Sequence, residues 1–79
     1  MGLYEIAPGL QLEVTLRDAA LYIKSNVGGD ALRFSPENSS DFFSNDVDAQ
    51  VSFVRNASGA VTGLVVHQFG RDRPGRKIR

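Results

Sequence analysis

The chain has 79 residues, of which 42% are hydrophobic and 23% charged, a composition typical of one small folded domain rather than a disordered or fibrous protein. It contains no cysteine, which excludes disulfides, thiolate zinc sites and cysteine nucleophiles. No apolar run approaches the roughly 20 residues that a membrane-spanning helix needs, and the N-terminus lacks a secretory signal pattern, so we expect no membrane partner. These features are compatible with either the cytoplasm or the periplasm. We expect a single domain over residues 1–79.

The formal net charge of zero conceals an uneven distribution of charged residues. Up to Gly70 the chain has four basic residues against eight acidic ones, whereas from Arg71 onward it has five basic residues against Asp72 alone. The chain therefore ends in a basic tail over residues 70–79. We expect this tail to be either a final edge strand or a frayed end.

Two strands are predicted at the start of the chain. Residues 2–6 form a short apolar stretch that ends at the turn pair Pro8-Gly9. From Leu10 to Arg17, apolar and polar residues alternate without exception, which is typical of a strand buried on one face.

The next segment, from Arg17 to Ser25, is compatible with two structures. Its alanines and the spacing of its apolar residues also satisfy a helix. As a strand, it would follow a tight turn at Asp18-Ala19 and direct Leu21 and Ile23 inward. We favour the strand, since a helix would have to begin abruptly within a β pattern and end at Gly28-Gly29.

The middle of the chain alternates turns with short apolar segments. Gly28-Gly29-Asp30 predicts a turn, residues 31–35 a strand closed by Pro36, and residues 37–41 a polar loop before Phe42-Phe43. A further acidic turn is expected over Asn45–Asp48.

The clearest local signal is a hairpin from Ala49 to Gly70. Val51 and Phe53 alternate with polar residues, Asn56 to Gly59 supplies turn residues, and residues 61–69 are rich in β-branched side chains. The second strand is apolar on both faces, with Leu64 and Val66 on one face and Val61 and Val65 on the other. We therefore expect it to be central in the sheet or to contact a partner.

About eight short segments separated by regular turns predict an all-β fold, a small antiparallel meander barrel or a strongly curved sheet. Strands of this length leave an interior filled by the protein's own side chains, so a large ligand cavity is not expected. The predicted core residues are Leu12, Val14, Leu21, Ile23, Leu32, Phe34, Phe43, Val51, Phe53, Leu64 and Val66.

The residues suited to catalysis or metal binding form no recognisable motif. His67 is the single histidine, the sequence offers no partner for it, and a lone histidine supplies too few metal ligands. The acidic residues Asp41, Asp46 and Asp48 lack the spacing of a calcium-binding loop. Asn38 and Asn56 match the glycosylation pattern but are more simply turn residues. We expect no catalytic residue, metal or cofactor.

Without a catalytic motif, the function that the sequence favours is binding to a partner. The basic tail is compatible with a small nucleic-acid-binding barrel, but no aromatic residue is interleaved with its charges, so nucleic acid is not the favoured partner. We predict instead an interaction surface around the last two strands. Its candidate residues are Val61, Val65, His67, Phe69, Arg71, Arg73, Arg76 and Lys77.

Ten short phrases follow one another along the chain: Gly2-Leu3-Tyr4-Glu5, Ala7-Pro8-Gly9, Leu12–Thr15, Leu21-Tyr22-Ile23, Phe34-Ser35-Pro36, Phe42-Phe43, Val51–Arg55, Gly59–Leu64, Gln68-Phe69-Gly70 and Pro74–Ile78. As an ordered set they resemble the C-terminal accessory domain of class C beta-lactamase and penicillin-binding-protein-like serine hydrolases, including the S12 peptidases. Two features depart from that family: Ala19 stands where glycine is favoured in the turn, and the chain ends in an arginine-rich segment.

The resemblance implies an eight-stranded lipocalin-like barrel with a non-catalytic role. Such a domain would pack on a serine hydrolase catalytic domain in cis or in trans, shape access to its active site, or support a homo-oligomer. The nucleophile machinery of that family belongs to the other domain and has no counterpart here. We expect the chain to be one domain of a longer protein or a stand-alone relative. Capture of a small apolar ligand by the barrel is a further alternative.

Overall fold

The computed structural model describes residues 2–44 and 47–79, which form eight β-strands. Each strand is antiparallel to the next, and the last also pairs with the first, so the sheet closes into a barrel and the predicted all-β meander barrel is confirmed. Within the described segments, no helix is long and apolar enough to span a membrane. The strands are β1 (Gly2–Ala7), β2 (Leu10–Arg17), β3 (Ala20–Ser25), β4 (Leu32–Pro36), β5 (Asp41–Ser44), β6 (Ala49–Arg55), β7 (Val61–Gln68) and β8 (Arg71–Lys77).

The segment with two possible structures is a strand. β3 pairs with β2 from Leu12↔Ser25 to Arg17↔Ala20, which leaves Asp18 and Ala19 as a two-residue turn. Both residues have positive φ, 50° and 64°, as a type I′ hairpin turn requires. Helical spacing was therefore misleading here, because alternate residues of β3 are buried against the barrel interior.

The hairpin of β6 and β7 forms as predicted, with one irregularity that moves Val61. The register shifts from Val54↔Gly63 to Arg55↔Val61, so β7 holds one extra residue at this point. A one-residue shift turns the following side chain to the other face of a strand. Val61 accordingly packs against the core and does not share the outer face with Val65.

The turn of this hairpin is organised by Asn56, whose side-chain Oδ1 accepts from the backbone N–H groups of Ser58 and Ala60 at 3.0 and 3.1 Å. Asn38 has the same role in the β4–β5 connection, where its Oδ1 accepts from the N–H groups of Ser40 and Asp41, both at 2.9 Å. Both asparagines thus have structural roles in turns. The predicted acidic turn over Asn45–Asp48 falls partly outside the described residues.

Two predicted core positions, Phe43 and Leu32, require correction. Phe42, not Phe43, points into the barrel and is 8% exposed, because Phe42 pairs with Val51 and Phe43 with Gln50. Leu32 is exposed, at 36%, because it is the first residue of β4, whereas Val66 is partly buried against the core. The other predicted core residues are buried: Leu12, Val14, Leu21, Ile23, Phe34, Val51, Phe53 and Leu64.

Aromatic side chains fill one half of the barrel. Phe53 lies between Tyr4 and Phe42, with ring centroids 6.2 and 5.7 Å away. The Tyr4 side chain is fully buried, and its hydroxyl has no hydrogen-bond partner among the residues that the structure describes. Burial raises the pKa of this phenol.

The basic tail is a strand that pairs with β7 along its length and with β1 at its end, rather than a frayed end. β8 pairs with β7 from Gly63↔Arg76 to Gln68↔Arg71 and with β1 at Tyr4↔Lys77 and Glu5↔Arg76. The pairing continues to the end of the chain, where the N–H of Ile78 donates to the carbonyl of Leu3 at 2.7 Å. β8 therefore closes the barrel and is not an edge strand.

Replacing Ala19 by glycine is expected to stabilise the fold. A Cβ at φ 64° is unfavourable, and glycine removes this strain at a cost of about 1 kcal/mol or less in unfolded-chain entropy. We expect Ala19→Gly to raise the free energy of unfolding by roughly 0.5–1 kcal/mol in urea denaturation. The control is Ala57→Gly in the β6–β7 turn, where φ is not positive and a decrease is expected. A decrease in both variants would contradict the assignment of strain to Ala19.

Replacing Gly75 by alanine is expected to destabilise the fold. A Cβ at this position would lie 2.6 Å from Ile6 Cγ2 and 3.2 Å from Leu64 Cδ1. We expect Gly75→Ala to lower the free energy of unfolding by about 1–3 kcal/mol, because the core must move to admit the methyl group. In a double-mutant cycle, Ile6→Ala should relieve part of this loss; strict additivity would show that Ile6 is not the obstacle.

Candidate functional site

A hydrogen-bonded polar network crosses the outer face of β6, β7 and β8. Asp72 Oδ1 lies 2.6 Å from His67 Nδ1, and His67 Nε2 lies 3.1 Å from Ser52 Oγ. Because an ionised carboxylate only accepts hydrogen bonds, Nδ1–H of His67 donates to Asp72. The His67 side chain is 36% exposed and that of Asp72 71% exposed. The network is therefore accessible from solvent.

The geometry of the network follows from the turn at Phe69-Gly70. Both residues have positive φ, 53° and 72°, and form a two-residue connection that pairs Gln68 with Arg71. This register places His67 directly opposite Asp72. On the other side, Ser52 pairs with Val65, so it is a diagonal neighbour of His67.

Asp41 on β5 extends the network by one strand. It pairs with Ser52 across the β5–β6 ladder. The pKa of the Asp41 carboxyl is lowered by hydrogen bonds, first from the Asn38 side chain, whose Nδ2 donates at 2.9 Å, and then from the Ser52 hydroxyl. Electrostatic attraction from His67 adds to the effect. The row Asp41, Ser52, His67 and Asp72 is called the polar row below.

The connectivity of Ser52, His67 and Asp72 is that of a Ser-His-Asp triad, but two features oppose acyl transfer. Ser52 has a single hydroxyl hydrogen, and two acceptors compete for it: His67 Nε2, 3.1 Å from Ser52 Oγ, and the Asp41 carboxylate, whose pKa the Ser52 hydroxyl lowers. The N–H of Phe53, which adjoins the serine, donates to the carbonyl of Ser40 at 2.8 Å and cannot stabilise an oxyanion. The polar row thus presents a pattern of donors and acceptors that its own hydrogen bonds hold in place.

The acidic residues do not assemble a metal site in the described part of the chain. Across residues 2–44 and 47–79, no group of three or more His, Asp and Glu side chains is arranged to hold a metal ion. Asp46, which belongs to the acidic set considered for calcium, lies outside the described residues.

The structure divides the residues of the predicted interaction surface among several places. Val65 and His67 lie on the outer face of β7, with Val65 between Ser52 and Pro74 in the sheet. Val61 packs against the core, and Phe69 is 79% exposed at the tip of the β7–β8 turn.

The basic residues of that surface do not form one continuous patch. Arg76 reaches Glu5 across the β1–β8 seam at 3.5 Å, and Lys77 pairs with Tyr4 in the same seam. Arg73 is on the opposite side of β8 from Arg76 by strand alternation and lines the barrel opening, with Arg71 on the same side as Arg73.

An apolar cavity of about 270 Å³ occupies the other half of the barrel. Its walls come from the strand ends joined by the β1–β2, β3–β4, β5–β6 and β7–β8 connections, which all lie at one end. The expected filled interior is thus found only in the half that contains Tyr4, Phe42 and Phe53. We call the other half the open end; its wall residues include Ile6, Leu12, Ile23, Leu32, Val51 and Val66.

Sequence reasoning missed the polar row because its members are far apart in the chain. A usable signal was present in Gln68-Phe69-Gly70-Arg71: a two-residue hairpin turn at Phe69-Gly70 would have paired His67 with Asp72. The contacts of Ser52 and Asp41 depend on the β5–β6 and β6–β7 registers, for which the sequence contained no equally specific marker.

Acid should weaken the fold partly through Asp41. A carboxyl whose folded pKa lies below its ordinary value of 3.8 contributes stability above that value, and the contribution is lost as pH falls through the folded pKa. We expect the stability difference between wild type and Asp41→Asn to shrink between about pH 4 and pH 2 in urea titrations. Asp30→Asn, in the exposed β3–β4 loop, is the control. A difference that stays constant with pH would exclude a contribution from Asp41 ionisation.

Comparison with known proteins places the chain in a family without identifying an activity. Neither the curated proteins nor the solved structures contain a significant match. A family match covers residues 1–77, almost the whole chain. The chain therefore belongs to the family described as a domain of unknown function, DUF3471.

Proposed function

We propose that this chain is a non-catalytic accessory domain that acts by protein contact on the catalytic domain of a beta-lactamase-like serine hydrolase. The observation that carries the proposal is the outer face of β5–β8. There, Val65 lies beside the polar row, whose side chains are already held by one another.

This face has the composition of a protein-binding surface. Val65 and Phe43 are partly buried and point outward, and exposed Pro74 adjoins Val65 on β8. Protein interfaces commonly combine such an apolar centre with polar groups at its margin. Because the hydrogen bonds of the polar row restrict its side chains before binding, little further side-chain entropy is lost on association.

The identity of the partner is supported by the ordered sequence phrases shared with the accessory domains of serine hydrolases. A barrel that packs on such an enzyme would shape access to its active site or support oligomer assembly. The catalytic domain would be present in the same polypeptide or in a separate one. A second copy of this chain on the same face is the competing outcome of the test below.

Changing Val65 to aspartate should disrupt association more than folding. Calorimetry measures binding of the purified chain to a catalytic domain. That domain belongs to the serine hydrolase encoded in the same reading frame or operon. We expect Val65→Asp to weaken binding at least about tenfold, since a charge would be desolvated in the interface, while the free energy of unfolding changes by about 1 kcal/mol or less. Thr15→Asp, on exposed β2, is the control.

Three results would contradict the proposal. One is the absence of binding to that catalytic domain, and another is an equal loss of stability and association in Val65→Asp, which would make Val65 part of the core. Self-association of the chain, measured by sedimentation and lost in Val65→Asp, would replace the hydrolase by a second copy.

The non-catalytic assignment has a separate test. The purified chain is incubated with a chromogenic beta-lactam and with a chromogenic ester, and no turnover above background is expected. Turnover that is lost in Ser52→Ala would instead assign a nucleophile to the polar row.

A further inference from the structure

The open end of the barrel has the dimensions of a small-molecule site. An apolar cavity of about 150 Å³ is enough to bind benzene, so by proportion the 270 Å³ cavity holds about ten non-hydrogen atoms. It is lined by apolar side chains from six of the eight strands and from two connections, and only Ser25, Gln68 and Arg73 add polar side chains. Most of its volume therefore offers water few hydrogen-bond partners.

One exposed apolar side chain extends the cavity wall toward solvent. Val27 in the β3–β4 connection is 73% exposed and lines the cavity. It provides apolar surface next to the part of a ligand that protrudes from the cavity.

The positive charge of Arg73 favours an anionic ligand in the cavity. It lies opposite Val66 in the β7–β8 ladder and is the only charged side chain in the cavity lining, counted over the described residues. Within residues 2–44 and 47–79 the Arg73 guanidinium makes no hydrogen bond or ion pair, whereas Arg76 contacts Glu5. A guanidinium binds a carboxylate through two parallel hydrogen bonds.

We propose that the open end binds a small amphiphilic carboxylate, with its alkyl or aryl part in the cavity and its carboxylate on Arg73. Burial of the apolar part supplies the main driving force, and Arg73 selects the anionic head group. This site is separate from the outer face of β5–β8 and does not depend on the proposed docking function.

The experiment is a titration of the purified chain with octanoate, which has about ten non-hydrogen atoms. Methyl resonances of Ile6, Leu32 and Val66 are followed by NMR, and affinity is measured by calorimetry. We expect one saturable site with shifts at these methyl groups. Octylamine, with the same chain length and the opposite charge, should bind at least about tenfold more weakly.

The variants separate the role of Arg73 from general hydrophobic binding. Arg73→Gln should weaken octanoate binding at least about tenfold and leave binding of octanol unchanged, while Arg76→Gln leaves both unchanged. Val65→Asp should also leave octanoate binding unchanged, which distinguishes this site from the docking surface. Val66→Phe should fill the cavity and abolish octanoate binding. If that variant does not fold, the comparison of Arg73→Gln with wild type and of octanoate with octylamine still tests the proposal.

The proposal is overturned by any of three results. These are no saturable octanoate binding, equal affinity for octanoate and octylamine, or an Arg73→Gln variant that binds octanoate as tightly as the wild type. Methyl shifts confined to residues outside the open end would equally place the ligand elsewhere and refute the assignment.

Discussion

The pairing of β1 with β8 is the constraint on which the rest of this structure depends. It is formed by Tyr4↔Lys77 and Glu5↔Arg76 and extended by hydrogen bonds between Leu3 and the last two residues. Without it, a chain of 79 residues would present two open strand edges and a core exposed along one side. Gly75 permits this closure, because any side chain there would enter the space occupied by Ile6 and Leu64.

Closure also explains why the interior has two different halves. A ring of eight strands encloses a fixed cross-section, and the side chains of one half, including Tyr4, Phe42 and Phe53, are large enough to fill it. Toward the open end the inward positions hold smaller or more distant groups, among them Ala49 and Ser25, and a cavity remains. Arg73 is also at this end, where water can reach a charged group.

The strand register also determines which side chains are neighbours on the outer face of the barrel. Cross-strand neighbours on β5 to β8 bring Asp41, Ser52, His67 and Asp72 into one hydrogen-bonded row, although the chain separates the first from the last by some thirty residues. Asp41 competes with His67 for the hydroxyl hydrogen of Ser52, and the N–H of Phe53 donates to the carbonyl of Ser40. Together with Val65, the row forms a surface on which an apolar side chain lies beside hydrogen-bonded polar ones.

The amino-acid sequence by itself determined the fold class, the boundaries of β2 and most of the core, because alternation and turn residues act over a few neighbouring positions. It did not distinguish Phe42 from Phe43, since adjacent phenylalanines satisfy either face of a strand until the β5–β6 register is known. The partners of His67, the inward shift of Val61 and the cavity at Arg73 were decided only by the tertiary structure. The shift of Val61 and the contacts of His67 depend on strand registers, of which the sequence marked only the turn that pairs His67 with Asp72, and the cavity depends on how the barrel closes.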